Sequence, residues 1–246
     1  MKIHRSFFKS FLAVFVLLTG TGLIAASVTA KDEVPAELVK KLTTTFSGIQ
    51  PADVTPAPMK GWYQIKDGTA MGYVTEDGNY FIEGDLIDLK TDTNLSERQR
   101  ESSRLETMAG VSKSQMIEFS SGKPKHWVTV FTDVDCGYCR MFHNQIADYN
   151  KKGMAIRYMF FPTAGPGSPA YKKAEAVWCA DDPAAALTAA KAGQEVVPGN
   201  CKNPIALHYQ IARQVGARGT PAIITDKGRL IGGYKPPAAL LADLDR

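Results

Sequence analysis

The chain reads as an α+β protein: a small helix-plus-meander unit, a polar helix, and a larger unit in which strands and helices alternate. Three observations carry that reading. Residues 62–89 fall into short strand-like runs separated by Asp67-Gly68 and Asp77-Gly78, dipeptides suited to tight hairpins. Residues 93–110 are charged at Arg98, Arg100, Glu101, Arg104 and Glu106, with few apolar anchors between them. Beyond Val111 the apolar pattern switches between the strand and helix periods, and a Cys-x-x-Cys pair stands where a strand hands over to a helix.

Composition bounds the rest. With 246 residues, 44% hydrophobic and 22% charged, there is room for one large or two small soluble domains. Residues 1–30 stand apart. Lys2, Arg5 and Lys9 form a positive start, residues 11–18 an apolar core, and Val28-Thr29-Ala30 a small-residue cleavage site. The expectation is a secretory signal peptide cut after Ala30. An uncleaved membrane anchor fits less well, because the apolar core is short and broken by Thr19-Gly20-Thr21-Gly22. The formal charge of +4 includes Lys2, Arg5 and Lys9, so the remainder carries +1. No basic stripe is left to attract nucleic acid or an anionic membrane. Export also implies a compartment in which disulfides persist.

In the first unit, 31–93, Val34, Leu38, Leu42 and Phe46 mark a short amphipathic helix. A proline-rich stretch, 51–58, precedes strands at 62–65, 70–75, 80–82 and 86–89. A meander this small has little core and leaves sheet edges to cover. Self-pairing at an edge meets both needs, which predicts a homodimer; docking onto the rest of the same chain is the alternative. The segment 94–110 starts with Asn94 and Glu97 in capping-box spacing and ends at Gly110. With only Leu95, Leu105 and Met108 as anchors, it is expected to be a mostly solvated linker helix, or else a surface helix of either unit.

The second unit, 111–246, begins with strands 115–119 and 126–131 on either side of the Ser120-Ser121-Gly122 turn. A helix follows the cysteine motif, with apolar residues Phe142, Ile146 and Tyr149 at helical spacing. Then come strand 154–161, helices 168–180, 183–191 and 204–216, a hairpin of 222–225 and 230–233 over Asp226-Lys227-Gly228, and helix 237–244.

Cys136-Gly137-Tyr138-Cys139 carries the chemistry. Two cysteines three apart on a first helical turn are close enough to form or release a disulfide. Cys136 lies at the helix start, where free N–H groups and the helix dipole favour an anion, so it is the expected nucleophile. Cys139 is the resolving thiol, Gly137 permits the tight turn, and Tyr138 offers an aromatic rim. A closed structural disulfide and half a zinc site are the other readings; the zinc site lacks a second ligand pair. Four cysteines allow three pairings. If Cys136 and Cys139 are the redox pair, Cys179 and Cys201 are left for each other, in a structural role. Cys-x-x-Cys after a strand in this β-α-β setting reads as thioredoxin-like, with the helices between Phe161 and Thr220 as an insertion. In such folds a cis-proline faces the motif, which points to Pro221 and gives the backbone of Thr220 to an extended substrate chain. No cofactor or metal is called for.

The residues resemble a wider set of proteins. Ile49-Gln-Pro, Pro56-Ala-Pro, Phe131-Thr-Asp, Cys136-Gly-Tyr-Cys139, Ala147-Asp-Tyr-Asn150, Arg157-Tyr, Phe161-Pro, Trp178-Cys-Ala180, Gly219-Thr-Pro-Ala222 and Gly233-Tyr-Lys-Pro-Pro237 are similar to the bacterial periplasmic DsbC type of thiol:disulfide interchange protein. The resemblance implies a homodimer built through cystatin-like N-terminal domains, with redox sites facing an apolar cleft. It implies shuffling of wrong disulfides in misoxidised secreted proteins, chaperone activity, and reduction by a membrane DsbD-type partner. It also implies a stable Cys179–Cys201 disulfide.

One departure stands out. Many thioredoxin relatives carry a buried carboxylate six residues before the first active cysteine, and here that position is Val130. Asp133 and Asp135 read as turn residues rather than proton acceptors. His143 shares the face of Cys139 but reads as a surface or core histidine. Disulfide isomerisation or reduction is the expected function. A DsbG-like sulfenic-acid reductase, a redox-independent holdase and a metal-binding protein are the alternatives.

Overall fold

Leu38 and Leu42 lie one turn apart on α1 (Ala36–Thr45) and are both buried, so the helix lays one stripe on a small antiparallel sheet. The computed structural model describes residues 33–197, 199 and 201–246; the signal segment and its cleavage after Ala30 lie outside the described residues. Residues Val34–Arg246 form one compact unit.

The small sheet runs in the order β1 (Val54–Pro56), β2 (Trp62–Asp67), β3 (Ala70–Thr75), β4 (Phe81–Glu83). Gly68, at φ 58°, makes the left-handed turn between β2 and β3 that a side chain resists. Ile49, Val54, Ile65 and Val74 complete the core under α1. Strand β1 lies inside the proline-rich stretch 51–58, ahead of the strands the sequence pattern predicts. Its Pro56 ends an edge strand, the place where a missing donor is tolerated. The last expected strand does not extend the meander. Instead β5 (Ile87–Asp88) pairs with β6 (Thr93–Asn94) in a ribbon of its own.

Helix α2 (Leu95–Ala109) is capped by Asn94, whose side chain accepts the Glu97 N–H at 2.8 Å. It is less solvated than expected. Its buried residues are Ser96, Ser103 and Arg104, whereas Leu105 is 41% exposed. Ser96 Oγ lies 2.5 Å from Tyr73 Oη on the small sheet. Arg104 Nε donates to Val215 O at 3.1 Å and its Nη1 to Gly228 O at 3.3 Å, while Glu97 holds the same guanidinium at 2.7 Å. Buried polar groups need partners, and here those partners come from both sides of the helix.

The large sheet has five strands: β7 (Ile117–Phe119), β8 (His126–Thr132), β9 (Met154–Phe160), β10 (Ala222–Thr225) and β11 (Leu230–Gly232), in the order β11-β10-β8-β9-β7. Only β8 and β9 are parallel. Strands β7 and β8, neighbours across the Ser120-Ser121-Gly122 turn in sequence, are separated by β9. From Val128 onward both faces of β8 are covered, which suits its β-branched and aromatic residues. Val128 and Val130 face one core with Ile156, Tyr158 and Ile223; Phe131 faces the other with Met159, Ile224 and Ile211.

The helix after the cysteine motif is two helices, α3 (Gly137–His143) and α4 (Ile146–Lys151), with a break at Asn144 and Gln145. Tyr234 Oη donates to Gln145 Oε1 at 3.0 Å at that break, and Phe142 stacks on Tyr149 across it at 4.3 Å. Helices α5 (Pro169–Trp178), α6 (Pro183–Lys191) and α7 (Ile205–Gln214) fill the segment between β9 and β10, and α8 (Pro237–Leu244) ends the fold. Among the described residues no helix is long and apolar enough to cross a membrane.

Candidate active site

Strand β8 aims its C-terminal end at a loop braced by Asp133. That carboxylate accepts from Asp135 N at 3.0 Å and from Thr163 N and Oγ1 at 2.9 and 3.2 Å, so its lone pairs hold the turn. Cys136 then stands at the N-cap of α3, partly exposed, and Cys139 lies one turn in, 1% exposed.

Around Cys136 two arrangements compete. The neutral thiol donates to Thr220 O at 3.2 Å, which favours the protonated form. Burial also pushes the thiol up. Against both, the Thr220 side chain, the Cys139 N–H and thiol, and the Tyr138 N–H hydrogen-bond the thiolate, and the net result is a thiol below its ordinary range. Cys139 moves the other way. Burial raises it, opposed by the charge of Lys191, the Thr132 hydroxyl and the Asp133 N–H. One sulfur is thus suited to attack from solvent and the other to wait.

Gly137 begins α3, and a Cβ there would meet nothing within 4 Å, so the approach to Cys136 is open. Tyr138 is 63% exposed beside it. The Thr220–Pro221 peptide is cis. Pro221 O accepts from Gly233 N at 2.8 Å, which anchors that loop to the hairpin side while Thr220 faces the sulfur. Cys179 and Cys201 are bonded, with Cα atoms 5.6 Å apart.

His143 is buried, with Nδ1 3.1 Å from Tyr158 Oη and Nε2 3.0 Å from Thr188 Oγ1. Burial and the nearby Lys191 charge lower its pKa to about 4. It supports α3 as a neutral core residue. The residue missed in the sequence is Lys191, 3% exposed at the end of α6, whose Nζ donates to Thr132 Oγ1 at 2.7 Å and Asp133 O at 2.6 Å. Its signal was a single cation closing the otherwise apolar run Ala184-Ala-Ala-Leu-Thr-Ala-Ala190.

Comparison with known proteins decides the family. Residues 28–97 match the disulfide bond isomerase protein N-terminal domain, and residues 113–246 match a thioredoxin-like domain. The DsbC thiol:disulfide interchange protein of Dickeya dadantii is 36% identical over 239 residues, covering 96% of this chain and 95% of that protein. The chain belongs to the DsbC family of thiol:disulfide interchange proteins. DsbC of Escherichia coli is 34% identical over 231 residues, covering 94% of each chain. A linker-deletion variant of ScsC from Proteus mirabilis, 16% identical with a TM-score of 0.50, covers 61% of this chain and 83% of that one, and shares the fold. The DsbC-family architecture is therefore an N-terminal isomerase-type domain followed by a thioredoxin-like one, and the Cys-Gly-Tyr-Cys motif lies in the second.

Proposed function

We propose that Cys136 and Cys139 are the exchanging pair of a periplasmic disulfide isomerase and reductase acting on misoxidised secreted proteins. The observation carrying this is the asymmetry of the two sulfurs: one lowered and open to solvent, the other raised and covered. Exchange needs a thiolate attacker and a good leaving thiol, and Cys136 can serve as either. Its thiolate attacks a substrate disulfide; the new bond joins Cys136 to one substrate sulfur, and the other leaves with the electron pair and takes a proton. A second substrate thiol then displaces Cys136, giving isomerisation without net oxidation. Alternatively Cys139 displaces the substrate, which leaves reduced while the enzyme becomes a disulfide, and a membrane DsbD-type reductase restores the dithiol. Gly137, Tyr138, Thr220 and Pro221 line the approach and meet an extended substrate; Cys179–Cys201 is structural.

The proposed organisation is a signal peptide at 1–30, a dimerisation domain at 31–93, a linker helix at 94–110 and the catalytic domain at 111–246. Support for a homodimer comes from β4, which pairs on one side with β3 and among the described residues has no strand on the other. Tyr80, Phe81 and Ile82 at that edge are 70%, 46% and 52% exposed. An apolar edge of this kind is a template for a second copy. Exposed Tyr138 and Met141 beside the thiol support a chaperone role for unfolded chains. Reactivation of scrambled ribonuclease tests the activity: the wild-type chain accelerates it and Cys136→Ser does not. Full activity in that variant would overturn the proposal.

A further inference from the structure

Lys191 is a buried cation without an acidic partner: among the described residues no carboxylate oxygen lies within 4.0 Å of its Nζ. Two of its three protons go to Thr132 Oγ1 and Asp133 O, both uncharged. The nearest acid, Asp133, spends its carboxylate on Thr163 and the Asp135 N–H. A buried charge is costly unless a counter-charge forms beside it. The group beside it that can become an anion is Cys139, which shares the Thr132 hydroxyl and is itself buried.

We propose that Lys191 is a positioning residue for the resolving step, fixing the Thr132 hydroxyl against Cys139 and lending its charge to the thiolate that forms there. The inference rests on Cys136 and Cys139 being the exchanging pair. In that step the Cys139 thiol releases its proton to water and its electron pair forms the Cys139–Cys136 bond. The bond from Cys136 to the substrate sulfur breaks, and that sulfur leaves with the electron pair and is protonated. The two enzyme thiols are oxidised by two electrons and the substrate disulfide is reduced by two.

Other groups around the lysine leave this role to it. Cys136 faces it from the N-cap of α3, Cys139, Arg140 and His143 from α3 itself, Asp133 from the loop, and Tyr158 stands beyond Cys139 on β9. His143 is neutral at pH 7, with a pKa lowered to about 4, and burial raises Tyr158 well above its ordinary range. Burial brings Lys191 itself down to about 8, with the charges of Cys139, Cys136 and Asp133 pulling back upward. It is therefore still mostly protonated at neutral pH. The functional consequence is a timer. A more readily ionised Cys139 shortens the life of a mixed disulfide, tilting the outcome from isomerisation toward reduction.

The test is a stopped-flow reaction of the full reduced chain with an aromatic disulfide whose released thiolate absorbs visible light. The first release reports attack by Cys136, and the second reports resolution by Cys139. Lys191→Met and Lys191→Gln should shift the pH midpoint of the second phase upward while moving the first phase less. At pH 7 the second phase should slow about threefold for each unit by which the thiol rises, the tenfold loss of thiolate being partly offset by its greater nucleophilicity. Lys191→Gln keeps a donor but loses the charge, so it separates the charge from simple bracing. Thr132→Val should shift the same midpoint in a chain that keeps the lysine, and Thr132→Ser should restore it; these two decide the matter if the lysine variants do not fold. An unchanged second-phase midpoint in every folded variant overturns the proposal. A wild-type chain with no first phase refutes instead the assignment of the exchanging pair.

Discussion

Cys136 and Cys139 are three residues apart on one helical turn, whereas Cys179 and Cys201 join the end of α5 to the approach to α7 across 22 positions. The decisive difference is helix polarity. Cys136 caps the N-terminus of α3, where N–H groups point at the sulfur; Cys179 caps the C-terminus of α5, where the backbone presents carbonyls. The N–H groups at the first position stabilise a thiolate. Because the rate of exchange depends on the leaving thiol as well as the attacker, the proposed roles require a bond at the first pair to be labile and the bond at the second to be inert. On the proposed roles, a cysteine pair is a reagent or a staple according to which end of a helix holds it.

Two variants test the contrast where its effects are largest. Cys136→Ser should lower the rate of disulfide exchange more than a hundredfold, while Cys139→Ala should keep the first step and accumulate mixed disulfides visible on non-reducing gels. Replacing both Cys179 and Cys201 by Ala should leave the exchange rate per folded molecule within about twofold. It should cost about 3 kcal/mol of stability, the loop-closure value for a ring of this size, read as a lower denaturant midpoint. If the double variant lost exchange as completely as Cys136→Ser, the division of labour between the pairs would be wrong.

Each pair also rests on a buried neutral histidine, and acid should reveal both. His143 sits under α3; His208 packs edge-on against Trp178, next to Cys179, at 5.7 Å. Phe160 N donates to His208 Nδ1 at 3.2 Å, so Nε2 carries the proton and donates to Gln115 O at 2.6 Å. Protonating Nδ1 would set two N–H groups against each other. Burial lowers the pKa of both histidines from 6.5 to about 4. The unfolded chain therefore binds protons first as pH falls below 6.5, and stability present at pH 7 is lost between 6.5 and 4. At pH 5 the loss is about 2 kcal/mol for each histidine. Denaturant midpoints at pH 7 and 5 should show it, and His208→Gln should remove about half of the dependence.

The cysteine pairs show what was legible in the sequence and what was not. Strand β8, the turn and Cys136 lie within eleven residues, so local pattern and spacing are enough to expect them together. The same holds for the Asn94 cap and for the hairpin over Asp226-Lys227-Gly228. Contacts over long separations left no such trace. Lys191 reaches Thr132 across 59 positions and Arg104 reaches Val215 across 111, and composition does not say where a long side chain ends. Strand order is not legible for a related reason: β9 inserts between β7 and β8, and a short turn gives no warning that a later strand will intervene.

The finest contrast lies within the redox pair itself. In the fully reduced chain, iodoacetamide at pH 7 should modify Cys136 at least about tenfold faster than Cys139, since a thiolate is the reacting species and the second sulfur is both covered and raised. Mass spectrometry of the alkylated peptide separates the two sites. The pH profile of the Cys136 rate should have its midpoint below that of a free cysteine. In Thr220→Val the midpoint should rise, because the side-chain hydrogen bond is the first of the forces opposing burial there. The Thr220 carbonyl remains in that variant and still accepts from the neutral thiol, so an unchanged midpoint would mean that the carbonyl contact, and not the hydroxyl, governs the sulfur.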